Sequence, residues 1–97
     1  MIEERIQSAE LLVAYFSHDD CQVCKVLKPR VQQLSESLAN VEFLYVDVRA
    51  YPAVSGQYLV FAVPTVIIFT HGREQRRFSR HFSADEISTT LQRLTQQ

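Results

Sequence analysis

Two cysteines, Cys21 and Cys24, are the only ones in this 97-residue sequence, and Gln22 and Val23 separate them. Sulfurs that close in sequence can exchange disulfides, or they can supply half of a metal site. A permanent staple is a poor use for them, because a bridge closing so small a loop removes little chain entropy. The pair stands where a buried-looking strand gives way to a helical pattern. A helix start carries unpaired N–H groups and the positive end of the dipole, and both favour a thiolate at Cys21. A thiolate there can attack a substrate disulfide. Cys24, one turn on, can then attack the mixed disulfide and release the substrate as a dithiol. A structural metal site usually needs four ligands. His18, His71 and His81 are the remaining soft candidates, and no spacing brings two of them to the cysteines, so no metal is expected.

The elements that must hold the pair are readable from periodicity. Glu3 to Glu10 is polar, with Ile2, Ile6 and Ala9 at helical spacing, and predicts a short amphipathic helix. Leu11 to Phe16 (Leu-Leu-Val-Ala-Tyr-Phe) is continuously apolar, as in a strand covered on both faces. From Val23 to Ala39 the period changes: Val23, Leu27, Val31, Leu34 and Leu38 make one apolar helical stripe. Pro29 interrupts that helix and removes a donor, and Asn40 can close it. Val41 to Val48 is a second strand ending near Asp47. Arg49 to Phe61 is irregular with room for one short helix. Thr65 to Thr70 is a β-prone third strand. His71-Gly72 is a turn signal, and Gln75 to Arg80 is a polar fourth strand suited to a sheet edge. Ser83 to Glu86 reads as a capping box opening a last helix, whose buried stripe is Ile87, Leu91 and Leu94. The expected architecture is α/β: a mixed four-stranded sheet with helices on both faces. It holds a right-handed βαβ unit and a closing hairpin, in one domain spanning 1–97.

In this order the motifs resemble the thioredoxin family, from Leu11 to near the end of the chain. Phe16 matches the aromatic residue ending the strand before the family's active site. Cys21 and Cys24 match its attacking and resolving cysteines, Lys25 follows as is usual there, and Pro29 matches the proline of the active-site helix. Val63-Pro64-Thr65, with Pro64 lying 40 positions after Cys24, resembles the cis-proline loop. The resemblance implies a thioredoxin-like fold and a protein-disulfide reductase whose only redox group is the Cys21–Cys24 disulfide, without a further cofactor. It implies a cis Val63–Pro64 bond that leaves the backbone of Val63 free to pair with an extended substrate. Asp20 and Gln22, flanking Cys21, join Val63 and Pro64 as expected substrate contacts. Lys25, Pro29, Tyr15 and His18 are expected in supporting roles. Expected partners are protein disulfides and a thioredoxin reductase as electron donor.

The sequence also departs from the family. Asp20 stands where a tryptophan is usual, and Gln22-Val23 replaces glycine-proline. Tyr15 takes the place of the buried acid, and Arg80 that of the glycine after the last strand. Asp19 and Asp20 put negative charge beside Cys21, against Lys25 and Lys28. Either aspartate could instead cap the helix. Tyr15 cannot serve as a base near neutral pH, since a phenol titrates near pH 10.

Rival readings are a redox-inactive interaction module and metal binding through the pair. A glutaredoxin would show paired glycines after the proline, and these are missing. Arg73, Arg76, Arg77 and Arg80 with His71 and His81 form a basic cluster. The net charge is −1, and no nucleic-acid motif accompanies the cluster, so it reads as edge-strand charge. The apolar fraction of 46% suits a globular chain. No run approaches a membrane span or the core of a signal peptide. A cytoplasmic monomer is the expectation, with neither nucleic acid nor membrane as partner.

Overall fold

The computed structural model describes residues 2–95. Eight elements follow in order: α1 (Ile2–Ser8), β1 (Leu11–Ser17), α2 (Cys24–Glu36), β2 (Val41–Asp47), α3 (Pro52–Gln57), β3 (Thr65–Thr70), β4 (Arg73–Ser79) and α4 (Ala84–Thr95). The strands make one sheet in the order β2-β1-β3-β4. β1 runs parallel to β2 and antiparallel to β3, and β3 and β4 form an antiparallel hairpin. This is the mixed four-stranded sheet with helices on both faces that the hydrophobic pattern predicts.

The apolar run of β1 is buried along its whole length, because alternate residues serve two cores. Leu12, Ala14 and Phe16 join Ile6 of α1, Val46, Ile67 and Phe69 on one face. Leu11, Val13 and Tyr15 join Val31 of α2, Val66, Ile68, and Ile87 and Leu91 of α4 on the other. The second core reaches Cys24 itself, so the packing that seats α2 also fixes one of the two sulfurs.

Several boundaries differ from the sequence pattern, each for a local reason. α2 begins at Cys24 instead of Val23, and Val23 is 61% exposed. It therefore stands outside the apolar stripe. The helix ends at Glu36, where Ser35 Oγ donates to the Val31 carbonyl and Ser37 Oγ to the Leu34 carbonyl. Hydroxyls that engage the preceding turn favour such ends. Asn40 closes the following turn in the left-handed region, at φ 65°. β4 begins at Arg73 and carries a bulge at Gln75, where Ile68 faces Arg76 but Phe69 faces Glu74. The bulge breaks the alternation at the residue where the sequence pattern starts that strand. The hairpin turn has φ 49° at His71 and 81° at Gly72, as a two-residue loop of this hand requires. A Cβ on Gly72 would lie 2.7 Å from Gln7 Oε1. The capping box forms: Ser83 N donates to Glu86 Oε2 at 2.8 Å, and Glu86 N to Ser83 Oγ at 3.3 Å.

Candidate active site

β1 and β2 end side by side, Ser17 opposite Asp47. The chain leaves β1 at Ser17, turns through His18 to Val23 and enters α2 at Cys24. Cys21 and Cys24 are joined as a disulfide with their Cα atoms 5.3 Å apart. The two sulfur residues are not equivalent. Cys24 is buried at 7% exposure in the α2–α4 core, while Cys21 is half-buried in the loop before the helix. An accessible first sulfur and a sheltered second one suit attack followed by intramolecular resolution.

The first turn of α2 is tight. Lys25 N donates to the Gln22 carbonyl and Val26 N to the Val23 carbonyl, each at 3.2 Å. Val23 is the N-cap, and no side chain caps it. Of the two roles open to Asp19 and Asp20 in the sequence, the cap is thus taken by neither. Asp20 turns instead to Arg49, whose Nη1 lies 2.6 Å from Asp20 Oδ2 across 29 positions of sequence. The Arg49 guanidinium holds the Asp20 carboxyl below the ordinary aspartate range. The negative charge that the sequence sets beside Cys21 is thus offset at Asp20 by a cation from the β2–α3 loop. The pattern that could have revealed Arg49 is its place two residues beyond Asp47, next to the parallel end of β1.

His18, Asp19, Lys25, Lys28 and Tyr45 line a shallow pocket of about 180 Å³ with the two cysteines. Lys28 Nζ sits 4.3 Å from the centre of the Tyr45 ring, close enough for a cation–π contact. His18 Nδ1 accepts a hydrogen bond from Asp20 N at 3.2 Å, which ties its ring to the loop. Gln22 and Lys25 are exposed, and Pro29 lies inside α2, where it has no N–H to offer the Lys25 carbonyl one turn back. Tyr15 is fully buried beneath this region, and burial, with Tyr45 nearby, pushes its phenol up to about 12. Ser17 went unremarked in the sequence. It is fully buried, and its Oγ is 2.8 Å from Cys24 Sγ.

The β3 entrance lies across from the end of β1, and Val63 and Pro64 are not among the residues lining the cysteine pocket. Phe16 pairs with Thr65, so the antiparallel register places Pro64 across from Ser17. The Val63–Pro64 bond is cis. The Pro64 carbonyl accepts from Arg80 N at 3.0 Å, and Thr65 Oγ1 donates to the Ala62 carbonyl at 2.6 Å. Neither the N–H nor the carbonyl of half-buried Val63 makes a backbone hydrogen bond among the described residues. Arg80 sits in the left-handed region at φ 67°, the conformation that glycine adopts without penalty. The basic cluster is partly consumed by the fold. Arg77 donates to the Tyr58 and Leu59 carbonyls and pairs with Glu74, while Arg76 covers the Phe78 ring. Among the described residues no three His, Cys, Asp or Glu side chains gather as a metal site, and no helix is long and apolar enough to cross a membrane.

A half-exposed sulfur before an uncapped helix, bridged to a buried partner, is an arrangement suited to thiol–disulfide exchange, the chemistry of a thiol–disulfide oxidoreductase. Known proteins agree with that class. The thioredoxin family model matches residues 2–93. A thioredoxin of Chlamydia trachomatis is 35% identical over 74 residues, covering 76% of this chain and 72% of that protein. The thioredoxin of Ovis aries is 38% identical over 79 residues, covering 79% and 75%. The structure of thioredoxin 1 from Thermosipho africanus superposes with a TM-score of 0.82 at 36% identity, covering 88% of this chain and 94% of that one. The chain belongs to the thioredoxin family, oxidoreductases of protein disulfides.

Proposed function

We propose that the protein works as a dithiol reductase, with Cys21 as the nucleophile and Cys24 as the resolving thiol. The Cys21 thiolate attacks one sulfur of a substrate disulfide. A Cys21–substrate bond forms, and the other substrate sulfur leaves as a thiolate that takes a proton from water. Cys24 then loses its proton and attacks Cys21 Sγ. The Cys21–Cys24 bond forms, and the second substrate sulfur departs and is protonated. Two electrons pass from the protein to the substrate. The observation that carries this assignment of roles is the unequal burial of the two cysteines.

The unpaired backbone of Val63 beside Pro64 supports its use as a ledge for an extended substrate segment, which would pair with it as an added strand. Asp20 and Gln22 flank Cys21 on the exposed side, where an arriving partner would meet them. Lys25 and His18 border the pocket and tune its charge, Pro29 shapes the helix, and Tyr15 fills the core below. The oxidised pair would be returned to the dithiol by a thioredoxin reductase. The pair itself is the only redox group this scheme needs. A monomer acting in the cytoplasm, where thiols are kept reduced, suits a protein whose two cysteines are both spent on exchange.

The test is insulin reduction coupled to NADPH and thioredoxin reductase. The wild-type protein turns over, Cys21→Ser abolishes turnover, and Cys24→Ser accumulates a mixed disulfide through Cys21. A wild-type protein that is inert both with the reductase and with a small dithiol as donor would show a binding module in its place.

A further inference from the structure

The position that carries a buried acid in thioredoxins is Tyr15 here, and its phenol stays protonated at neutral pH. Something else must lower the cost of forming a thiolate on Cys24, which is buried and unfavourably placed to ionise. The polar atom in contact with that sulfur is Ser17 Oγ, at 2.8 Å. A disulfide sulfur has no proton, so in this state the hydroxyl is the donor. Ser17 is itself fully buried. It is held by the last pairing of β1 with β2, where Ser17 faces Asp47 and the Ser17 carbonyl accepts from Val48 N at 2.9 Å. The other acceptor in reach of this hydroxyl is the His18 carbonyl, at 3.5 Å, so the sulfur at 2.8 Å is the nearer partner for its one proton.

We infer that Ser17 stabilises the Cys24 thiolate by hydrogen-bond donation, and so assists the resolving attack on the mixed disulfide. This rests on the exchange scheme proposed for the pair. The proton of Cys24 still leaves to water. Ser17 keeps its own proton and offers it in a hydrogen bond to the Cys24 sulfur once the thiol proton has left, so that more of Cys24 stands as the attacking thiolate; a charge-assisted bond is the strong kind. Other charged or titratable groups around this region are Tyr15 on β1, His18, Asp19 and Asp20 in the loop, Lys25 and Lys28 on α2, Tyr45 and Asp47 on β2, and Arg49, which pairs with Asp20. β3 and α4 present the apolar Val66, Ile68, Ile87 and Leu91 to the same core, and β4 presents Phe78 with Arg76 over its ring. Among these, the hydroxyl of Ser17 is the one the structure places in direct hydrogen-bond contact with Cys24 Sγ.

The experiment titrates Cys24 alone, in a Cys21→Ala background, by its ultraviolet thiolate absorbance. Adding Ser17→Ala is expected to move the midpoint up by about one to two pH units, the worth of a hydrogen bond to a charged group. Ser17→Thr, which keeps the hydroxyl, should restore most of the shift. With both cysteines present, Ser17→Ala should prolong the life of the Cys21 mixed disulfide about three- to tenfold, since the smaller thiolate fraction is partly offset by the greater nucleophilicity of a more basic thiolate, and leave the first attack unchanged. A midpoint unmoved by Ser17→Ala, or attack and resolution slowed alike, overturns the inference. Failure of the wild-type protein to turn over any disulfide would overturn the exchange scheme instead, while the titration would still decide whether Ser17 stabilises the thiolate.

Discussion

Tyr15 offers a clean test of how the core beneath the site is paid for. Its side chain is fully buried, and its hydroxyl has no hydrogen-bond partner among the described residues. A hydroxyl taken from water without a replacement partner costs about 1–3 kcal/mol in proteins. Tyr15→Phe removes that oxygen and keeps the ring, whose contacts with Phe43 and Tyr45 have centroids 6.3 Å apart. The variant should therefore be more stable by about 1–2 kcal/mol, a rise in Tm of roughly 4–8 °C per kcal/mol for a domain of this size. A pH signature separates this cause from a general packing gain. Below pH 10 the phenol holds its proton in both the folded and unfolded chain, so its effect is constant. Between its ordinary value of 10.0 and its folded value of about 12, the unfolded chain releases the proton and the folded chain does not. Stability then falls as pH rises, by about 3 kcal/mol over the full gap. Tyr15→Phe should lose that part of the alkaline decline. Urea unfolding of the oxidised protein at neutral pH and across the alkaline range measures both effects. A variant less stable than wild type at neutral pH, or one with the same alkaline decline, would refute the reasoning and place an unseen partner on the hydroxyl.

Two further perturbations probe the elements that frame the cysteines. Arg49→Ala leaves Asp20 unbalanced and should raise the midpoint of Cys21 thiolate formation by roughly a few tenths of a unit, whereas Asp20→Asn should lower it; both effects shrink in high salt because the pair is exposed. The pH dependence of Cys21 alkylation reads this, and shifts of the same sign in the two variants would dismiss the ion pair as the cause. Arg77→Ala removes the donor that ties the Tyr58 and Leu59 carbonyls to β4, and should cost about 1–2 kcal/mol. It should also speed amide exchange from Tyr58 to Val63 more than in β1, and uniform exchange would show that the loop is held by other means.

What could be read from the sequence is what neighbours in the chain decide. The run from Leu11 to Phe16 needs cover on two faces, and two cores provide it. Ser83 and Glu86 lie within one turn, so their mutual capping is visible as a spacing. The cysteine pair is legible for the same reason. The failures share a cause as well. Val23 fits the helical period but precedes the helix, because the tight turn joining Gln22 to Lys25 takes its place. The bulge at Gln75 shifts the phase of a strand whose two ends each look regular.

The departures from the family pattern show the same limit most sharply. Along the chain, Asp20 reads as an isolated charge that should hinder Cys21, and Arg80 as a misplaced side chain. In space, Asp20 is matched by Arg49, and Arg80 N still reaches the Pro64 carbonyl despite its left-handed backbone. A strained or charged residue costs little when a second residue answers it, and that second residue lies wherever the sheet's register puts it. The parallel ends of β1 and β2 bring the Arg49 loop to Asp20, and the hairpin of β3 and β4 brings Arg80 to Pro64. The surroundings of Asp20 and of Pro64 are therefore set by strand ends distant in sequence, and that is how an unusual cysteine loop can sit on an ordinary thioredoxin frame.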